Sequence, residues 1–391
     1  MAKTKEFFNI LHAHSEAKLN ILDEYVVTWM RKIALGPFGE KALVIDGFSG
    51  TGVYDNNKHG SPIRLLKHAM NFCEQAEKHG WPAPKLMFLF IEGFDDNYDE
   101  LLSNIYKLTR LDLTGEAGFE RLPGFPSIEV SCQNGSFEDV LESLLGELKS
   151  GYTLIPSFCF IDPFGFKDTP FDLIARYLKN PKSEILLNFI YEETNRFIRA
   201  KDPKIQAHMK KHFGVNDLNE LTELVSDKEA ALRKEIVVDF YSRQLMENTD
   251  VKYVLTFEIK KSGRTKLILF YGTKNIKGIK VMKKAMWKVD DTGLYMYDDR
   301  KPLQDIRFAF TKEIEDEIMI GDLANQIFEY YTGSRAYIEE IEEFVLTDTI
   351  FPIEVYAKKA LVKLEKEGKF KEVRNRKNKN TYPKNTIINF N

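Results

Sequence analysis

The side chains best suited to chemistry stand where short apolar runs end. The run Ala42–Ile45 leads into Asp46-Gly47-Phe48-Ser49-Gly50-Thr51-Gly52. Gly50 and Gly52 let the backbone turn tightly after a strand and come close to a ligand. The loop fits neither G-x-x-x-x-G-K-S/T nor a strict G-x-G-x-x-G, which argues against a phosphate-binding P-loop and an ordinary nicotinamide site. A second apolar run, Lys85 to Glu92, ends in a carboxylate. A carboxylate at that place can accept hydrogen bonds from both hydroxyls of a ribose. A glycine loop followed by an acid on the next strand is the general signature of a cofactor that contains adenosine. The plain alternative is a structural turn and a solvated Glu. Two further polar residues close apolar runs in the same way, Asn134 and Asp162.

The elements that must position these residues alternate. Leu19, Leu22, Tyr25, Val26, Trp29 and Ile33 recur every three or four positions and predict a helix from about His14 to Leu35, broken by Gly36-Pro37-Phe38-Gly39. A strand follows at 42–46, a helix at about Ser61 to Lys78, a strand at Lys85 to Glu92 and a helix at about Asn97 to Leu108. Thr114 to Pro126 reads as loop. Strands at Ser127 to Cys132, Thr153 to Asp162 and Ser183 to Tyr191, with a helix at Phe137 to Leu148, complete the series. Such alternation predicts a mostly parallel α/β sheet covered on both faces, with its ligand outside the carboxyl ends of the strands. Residues 195–246 are charged and helical in pattern, a helical insertion. Lys252 to Ile259 and Lys266 to Thr273 flank the turn Lys261-Ser262-Gly263-Arg264, so the last strand is antiparallel.

The tail is a separate unit. Residues 1–310 form the first domain in this reading and residues 311–391 the second. The second holds helices at Ile318 to Tyr331, Ile338 to Val345 and Ile353 to Glu367, then strands at Phe370 to Val373 and Thr386 to Phe390. Three helices and a basic hairpin are the layout of a winged helix-turn-helix. From Tyr356 to Asn391 there are 11 Lys/Arg against 3 Glu, a net charge of +8, so the remainder of the −3 chain carries −11. Lys358 and Lys359 on the third helix, with Arg374, Arg376, Lys377 and Lys379 in the hairpin, are candidate contacts to nucleic-acid phosphates, DNA or RNA. A solvated charged surface, or a protein-docking domain, is the competing reading.

The 391 residues are 43% hydrophobic and 29% charged, the balance of a globular protein rather than a disordered one. No apolar run is long enough to cross a membrane, and the N-terminus has no signal-peptide pattern, so a cytoplasmic protein without membrane contact is expected. Cys73, Cys132 and Cys159 are scattered and read as reduced thiols. No metal is expected. His208 and His212, four apart on a predicted helix, lack the neighbours that a metal site needs and read as a solvated helix face; His12 and His14 have equally little support. Gly60-Ser61-Pro62 reads as a helix start.

Asp46, Gly50 and Gly52 match the Asp/Glu-x-x-x-Gly-x-Gly loop, so the first domain resembles the class I S-adenosylmethionine-dependent methyltransferases, with Phe48 in the place where nucleic-acid members often carry an aromatic residue. The resemblance implies a Rossmann-like sheet and S-adenosylmethionine as cofactor. Gly50 and Gly52 would then lie under its methionine part, Glu92 would hold the ribose, and Asn134 and Ser136 would lie near adenine. Phe160-Ile161-Asp162-Pro163-Phe164-Gly165 is similar to the Asp-Pro-Pro-Tyr segment of enzymes that methylate exocyclic amines. There a carboxylate accepts the amine N–H and an aromatic ring stacks on the base. Asp162 and Phe164 would take these roles. Phe164 replaces the second proline, and Gly165 stands where the aromatic residue is expected.

Lys18-x-x-Ile21-Leu22-x-x-Tyr25, the glycine loop, Gly60-Ser61-Pro62, Phe90-Ile91-Glu92, the Asp-Pro-Phe-Gly phrase and the segment Lys266 to Trp287 together resemble a narrower family. These are the three-Cys-motif partner proteins, TcmP. That resemblance implies a radical-SAM-like partner that carries the three cysteines. The sequence alone supports three readings: a methyltransferase acting on nucleic acid or a base derived from it; a non-catalytic methyltransferase-fold module that binds nucleic acid and recruits the partner; or a nuclease using Asp46, Glu92 and Asp162 with magnesium.

Overall fold

The computed structural model describes residues 11–36, 39–113, 118–149, 151–299 and 309–391, the last segment with side chains from 313. Pro37 and Phe38 of the expected break, the start of the expected loop at 114–117 and the expected domain boundary near 310 adjoin or fall outside these residues.

The chain divides into two compact units, Met1–Asn275 with Tyr297–Asp299, and Ile276–Met296 with Arg300–Asn391. The first is built on β1 (Ala42–Asp46), β2 (Leu86–Glu92), β3 (Glu120–Leu122), β4 (Phe125–Asn134), β5 (Ser157–Ile161), β6 (Ser183–Phe189), β7 (Tyr253–Lys261), β8 (Arg264–Thr273) and β9 (Met296–Asp298). Their order across the sheet is β3-β4-β2-β1-β5-β6-β8-β7-β9. The strands from β4 to β6 run parallel, and β8 enters antiparallel to β6 and β7.

Every residue of β1, β5 and β6 is buried, because both faces are covered. Alternation along the strands sends Leu43, Ile45, Cys159 and Ile161 to one face and Val44, Phe158 and Phe160 to the other. On the second face lies α1 (Ala13–Ala34), whose Tyr25 and Trp29 rings stand 5.2 and 6.0 Å from Phe158. Helices α2 (Ser61–His79), α3 (Asp95–Thr109), α4 (Phe137–Gly146) and α5 (Phe171–Leu178) are the crossovers. The insertion is four helices, α6 (Tyr191–Phe197), α7 (Pro203–Phe213), α8 (Asn219–Val225) and α9 (Ala230–Asn248). It packs Phe213, Phe240 and Tyr241 against Phe171, Phe189 and Phe270 in one aromatic cluster. His212 is inside that cluster, a core residue rather than a solvated one.

The expected loop ahead of the third parallel strand holds strand structure instead. Glu120–Leu122 and Phe125 onward form an antiparallel hairpin around Gly124, a positive-φ turn residue. Leu122, Ile128 and Val130 are buried there while Glu120, Arg121 and Glu129 are not, as an edge hairpin tolerates and a fully buried strand does not.

The second unit begins with α10 (Ile276–Val289), a helix that the sequence reading counts with the first domain. Then come α11 (Ala309–Tyr331), β10 (Arg335–Tyr337), α12 (Ile338–Thr347), α13 (Lys358–Lys366), β11 (Phe370–Arg374) and β12 (Ile387–Phe390). A π-helical turn, Ile353–Ala357, leads into α13. The three strands form an antiparallel sheet in the order β10-β12-β11. Lys283 of α10 is buried and donates to the carbonyls of Val345 and Thr349, at 3.0 and 2.5 Å, where α12 ends.

Candidate active site

The register of the sheet builds the site. Asp46, the last residue of β1, pairs with Phe90 on one side and Phe160 on the other. Two residues further, Glu92 and Asp162 flank the loop that leaves β1. Glu92 is level with Asn134, and Asp162 follows Ile161, which pairs with Leu187 next to Asn188.

The glycine loop is stitched to both neighbours. Gly47 N–H donates to Phe160 O at 2.9 Å, and Ser49 N–H to Ile91 O at 2.9 Å. Gly50 and Gly52 have φ of +60° and +77°, a left-handed backbone that side chains disfavour. Gly50 N–H donates to Glu92 Oε2 at 2.8 Å, while Glu92 Oε1 accepts from Phe94 N–H at 3.0 Å and Asn97 Nδ2 at 3.3 Å. Burial raises the Glu92 carboxyl above its usual range, and these donors oppose the shift.

Asp46 is fully buried. Its Oδ1 takes a long bond from Phe48 N–H at 3.4 Å, and its Oδ2 is buried without a hydrogen-bond partner among the described residues. Burial pushes its pKa up to about 7; the Ser61 hydroxyl draws it down, and the negative charge of Asp162 adds to the rise. A buried carboxylate oxygen with unused capacity calls for a donor.

Asp162 is held at both oxygens. Lys18 Nζ donates to Oδ2 at 2.5 Å, and Asn188 Nδ2 to Oδ1 at 2.6 Å. The Lys18 and Asp162 side chains are 9% and 23% exposed, so this pair is largely shielded from water. Tyr25, seven residues and two turns beyond Lys18 on the same helix face, donates to Glu184 of β6 and shares a 2.6 Å contact with the Tyr271 hydroxyl. Thr273 completes the Glu184 shell at 2.5 Å. Beside Lys18, the His14 imidazole meets Lys266 Nζ at 3.1 Å. Its pKa is lowered to about 4 by burial and then by Lys266 and Lys261. Phe164 stands edge-on to Phe94, 6.1 Å between ring centres, and Phe94 is half-exposed.

The structure therefore brings together Asp46, Phe48, Gly50, Gly52, Glu92 and Asp162 at one end of the sheet. Phe48 packs on Phe137 at 5.4 Å. Asn134 donates to Asp95 at 2.7 Å. Ser136 caps α4, accepting from Asp139 N–H at 3.1 Å and donating to its carboxylate at 2.6 Å. Sequence reasoning does not single out Lys18, Asn188 or Phe94 as site residues. The lysine has a signal, the seven-residue spacing from Tyr25; Asn188 and Phe94 have none beyond their places near strand ends. Among the described residues, no three His, Cys, Asp or Glu side chains gather so as to hold a metal. No described helix is long and apolar enough to cross a membrane. The cysteines are free, with burial raising the thiol pKa of each.

Of the tail residues, Arg376 turns inward. It forms a two-pronged pair with Glu365 at 2.5 and 2.6 Å and lies 5.7 Å from the Tyr382 ring. Arg374 pairs with Glu372 at 2.7 Å, and Lys359 stands 5.9 Å from the Tyr356 ring. Lys358, Lys377 and Lys379 are exposed.

Without its edge strands β3 and β9, the sheet has the order third-second-first-fourth-fifth-seventh-sixth, with the seventh antiparallel. That is the Rossmann-like α/β sheet of the class I methyltransferases. No protein-family model matches the chain, and no curated protein sequence does. Solved structures similar to it include Trm1 from Pyrococcus horikoshii, in complex with S-adenosyl-L-methionine, at 14% identity and a TM-score of 0.36, covering 72% of this chain. This chain spans 62% of that one. The O-methyltransferase TomG from Streptomyces achromogenes is 11% identical with a TM-score of 0.33, covering 68% of this chain and 92% of its own. Protein LPL1258 from Legionella pneumophila is 10% identical with a TM-score of 0.36, covering 69% and 92%.

Proposed function

We propose that the chain is an S-adenosylmethionine-dependent methyltransferase of the three-Cys-motif partner kind, acting on nucleic acid or a substrate derived from a nucleobase. The observation that carries this reading is the Gly50–Glu92 bond beside the buried, partly unpartnered carboxylate of Asp46. Together they frame a left-handed backbone turn between two carboxylates, and a cofactor with an amine and a ribose suits it. The fit is chemical: Asp46 Oδ2 lacks a donor among the described residues, and Glu92 Oε2, which accepts from Gly50 N–H, has a second lone pair. Asp46, Phe48, Gly50, Gly52 and Glu92 would hold the cofactor, with Asn134 and Ser136 toward adenine. When bound, the cofactor supplies an electrophilic methyl group on a sulfonium.

This chain's own residues do the positioning. Lys18 and Asn188 fix the Asp162 carboxylate, whose remaining lone pairs accept an N–H of the nucleophile. Phe164 and Phe94 offer ring faces to a planar group. Attack on a sulfonium needs alignment more than acid–base power. The second unit from α11 onward, with its helix–strand–helix–helix–strand–strand order, acts in this reading as a winged helix-turn-helix that docks the polymer, and a radical-SAM-like protein is the partner, in the cytoplasm. Calorimetric titration with S-adenosylmethionine and S-adenosylhomocysteine tests the reading beside Gly50→Arg. Micromolar binding that the variant loses supports it; a folded protein that binds neither ends it.

One observation favours the non-catalytic alternative. Both Asp162 oxygens already have partners, so the group is less free than in an open amine-methylating site. Cofactor binding without turnover on any nucleic acid would support that reading. The nuclease alternative gains nothing from the geometry, since Glu92 and Asp162 are engaged by backbone N–H, amide and ammonium donors.

A further inference from the structure

A cavity of about 350 Å³ lies where the loop after Gly52 returns to α2, lined by Asp23, Lys58, His59, Arg64, Lys67 and His68 among others. Five of these six side chains are cationic or imidazole. The acids around it serve to hold the bases in place. Asp23 binds Arg64 at 2.8 Å and His68 at 3.1 Å, and Glu16 meets Lys58 and, at 3.6 Å, Arg64. Arg64 is further anchored by Asn20 and by the His59 carbonyl, at 3.2 and 2.9 Å. Lys67 differs: its ammonium reaches His59 Nδ1 at 3.2 Å, and no carboxylate pairs with it among the described residues. An imidazole that accepts at Nδ1 carries its proton on Nε2, so His59 adds a donor. Burial, and then the charges of Lys67 and Arg64, keep His59 below its usual range, as expected where the field is positive.

The loop that lines the cavity is tied to the candidate active site. Gly60, next to His59, donates to Gly52 O at 2.8 Å, so the basic loop is tied to the glycine loop. Tyr54 lies within electrostatic reach of Asp162 and Asp46 and also of Arg64. Charged donors of this kind, fixed in a concave site, suit a phosphodiester.

We propose that this pocket, through Lys67, Lys58 and His59, binds a backbone phosphate of a nucleic-acid strand whose target base occupies the Asp162 site. The proposal rests on the methyltransferase reading for that base; the phosphate contact can be measured without it.

The test uses the full chain, a short labelled single-stranded oligonucleotide of random sequence, as DNA and as RNA, and a salt series. Lys67→Gln should weaken binding and lower the slope of log affinity against log salt by about 0.7, the value for one phosphate no longer neutralised on a single strand. Lys67→Arg should restore it, and calorimetric binding of S-adenosylhomocysteine should be the same in all three proteins. Lys67 is exposed, so its replacement leaves the core intact. An unchanged affinity and slope in Lys67→Gln, or a wild-type chain that binds neither oligonucleotide, overturns the phosphate site. A wild type that fails to bind S-adenosylhomocysteine overturns the methyltransferase reading instead, and the salt slope still decides the pocket.

Discussion

Lys18 and Asp162 meet at 2.5 Å although 144 positions separate them in the chain. The contact ties the first turns of α1 to the end of β5. Two turns further along α1, Tyr25 ties the helix to Glu184 on β6. The helix is thus pinned to the sheet at two polar points on one face, with Leu22 and Ile21 packed between them. The Lys18-x-x-Ile21-Leu22-x-x-Tyr25 phrase has a physical reason in this double attachment. It sets how the ammonium addresses the carboxylate.

Removing one half of that pair should therefore be costly. Lys18→Met leaves a largely shielded carboxylate with only Asn188. A fully buried pair loses about 3–5 kcal/mol when broken, and the 23% exposure of Asp162 should bring this nearer to about 2 kcal/mol. Lys18→Met with Asp162→Asn should recover much of the loss. Denaturant unfolding of the four proteins gives the coupling, and additive losses would show that the pair does not act as a unit.

The Gly50–Glu92 bond makes a different prediction. Glu92→Gln keeps an oxygen for Gly50 N–H, whereas Glu92→Ala strands that donor in a buried loop. The alanine variant should lose about 1–3 kcal/mol of stability, the glutamine variant less. Both should weaken cofactor binding about tenfold or more if Glu92 holds the ribose. Parallel calorimetry and thermal unfolding separate the two effects.

The sheet is legible in the sequence because its strands end in polar residues after unbroken apolar runs, as fully buried parallel strands must. Asp46, Glu92 and Asp162 stand out by that feature alone. Lys18 and Asn188 carry no comparable mark: a lysine on a helix reads as solvated until the sheet shows what it faces. His212 misleads for the converse reason. A histidine among lysines, in Lys210-Lys211-His212, looks exposed, but helix α7 turns that one position into the aromatic cluster. Arg376, one of several basic residues in the hairpin, likewise gives no sign that Glu365 draws it inward.

The buried His212 predicts an acid-labile insertion. Burial lowers its pKa from 6.5 to about 4, with Nε2 unpartnered and Nδ1 at 3.1 Å from Thr169 Oγ1. The unfolded chain takes up the proton first, so stability is fully present above pH 6.5 and is lost as pH falls toward 4. The loss from this group approaches about 3 kcal/mol. His212→Phe should unfold with a flatter pH dependence across that window. An unchanged slope between wild type and variant would remove His212 as the cause.

Gly214 and Gly80 make a controlled pair. Both end helices with φ of +66° and +67°. A Cβ on Gly80 meets nothing within 4 Å, but on Gly214 it would lie 2.2 Å from the Phe171 ring. Gly80→Ala should cost about 1 kcal/mol, from backbone strain alone. Gly214→Ala adds a collision with a rigid ring in the packed core and should cost more than about 3 kcal/mol. Equal losses in urea unfolding would mean that the insertion yields easily.

The tail separates attachment of the hairpin from contact with a polyanion. Arg376 hydrogen-bonds Glu365 and holds its carboxyl near 2, despite some opposing burial, and Tyr382 adds a 2.6 Å bond. A carboxyl lowered in this way stabilises the fold above its unfolded value of about 4.5, and that contribution disappears only as pH falls through about 2. Arg376→Ala should therefore lower the unfolding temperature at neutral pH, and Glu365→Ala should do the same. Lys377 and Lys379 are exposed, and among the described residues no carboxylate anchors them. Lys377→Ala with Lys379→Ala should leave the unfolding temperature unchanged and reduce the salt slope of duplex binding by about 0.9 for each phosphate no longer neutralised. If the lysine pair leaves duplex affinity intact while Arg376→Ala abolishes it, the hairpin contributes shape rather than charge, and the basic surface of the tail serves another contact.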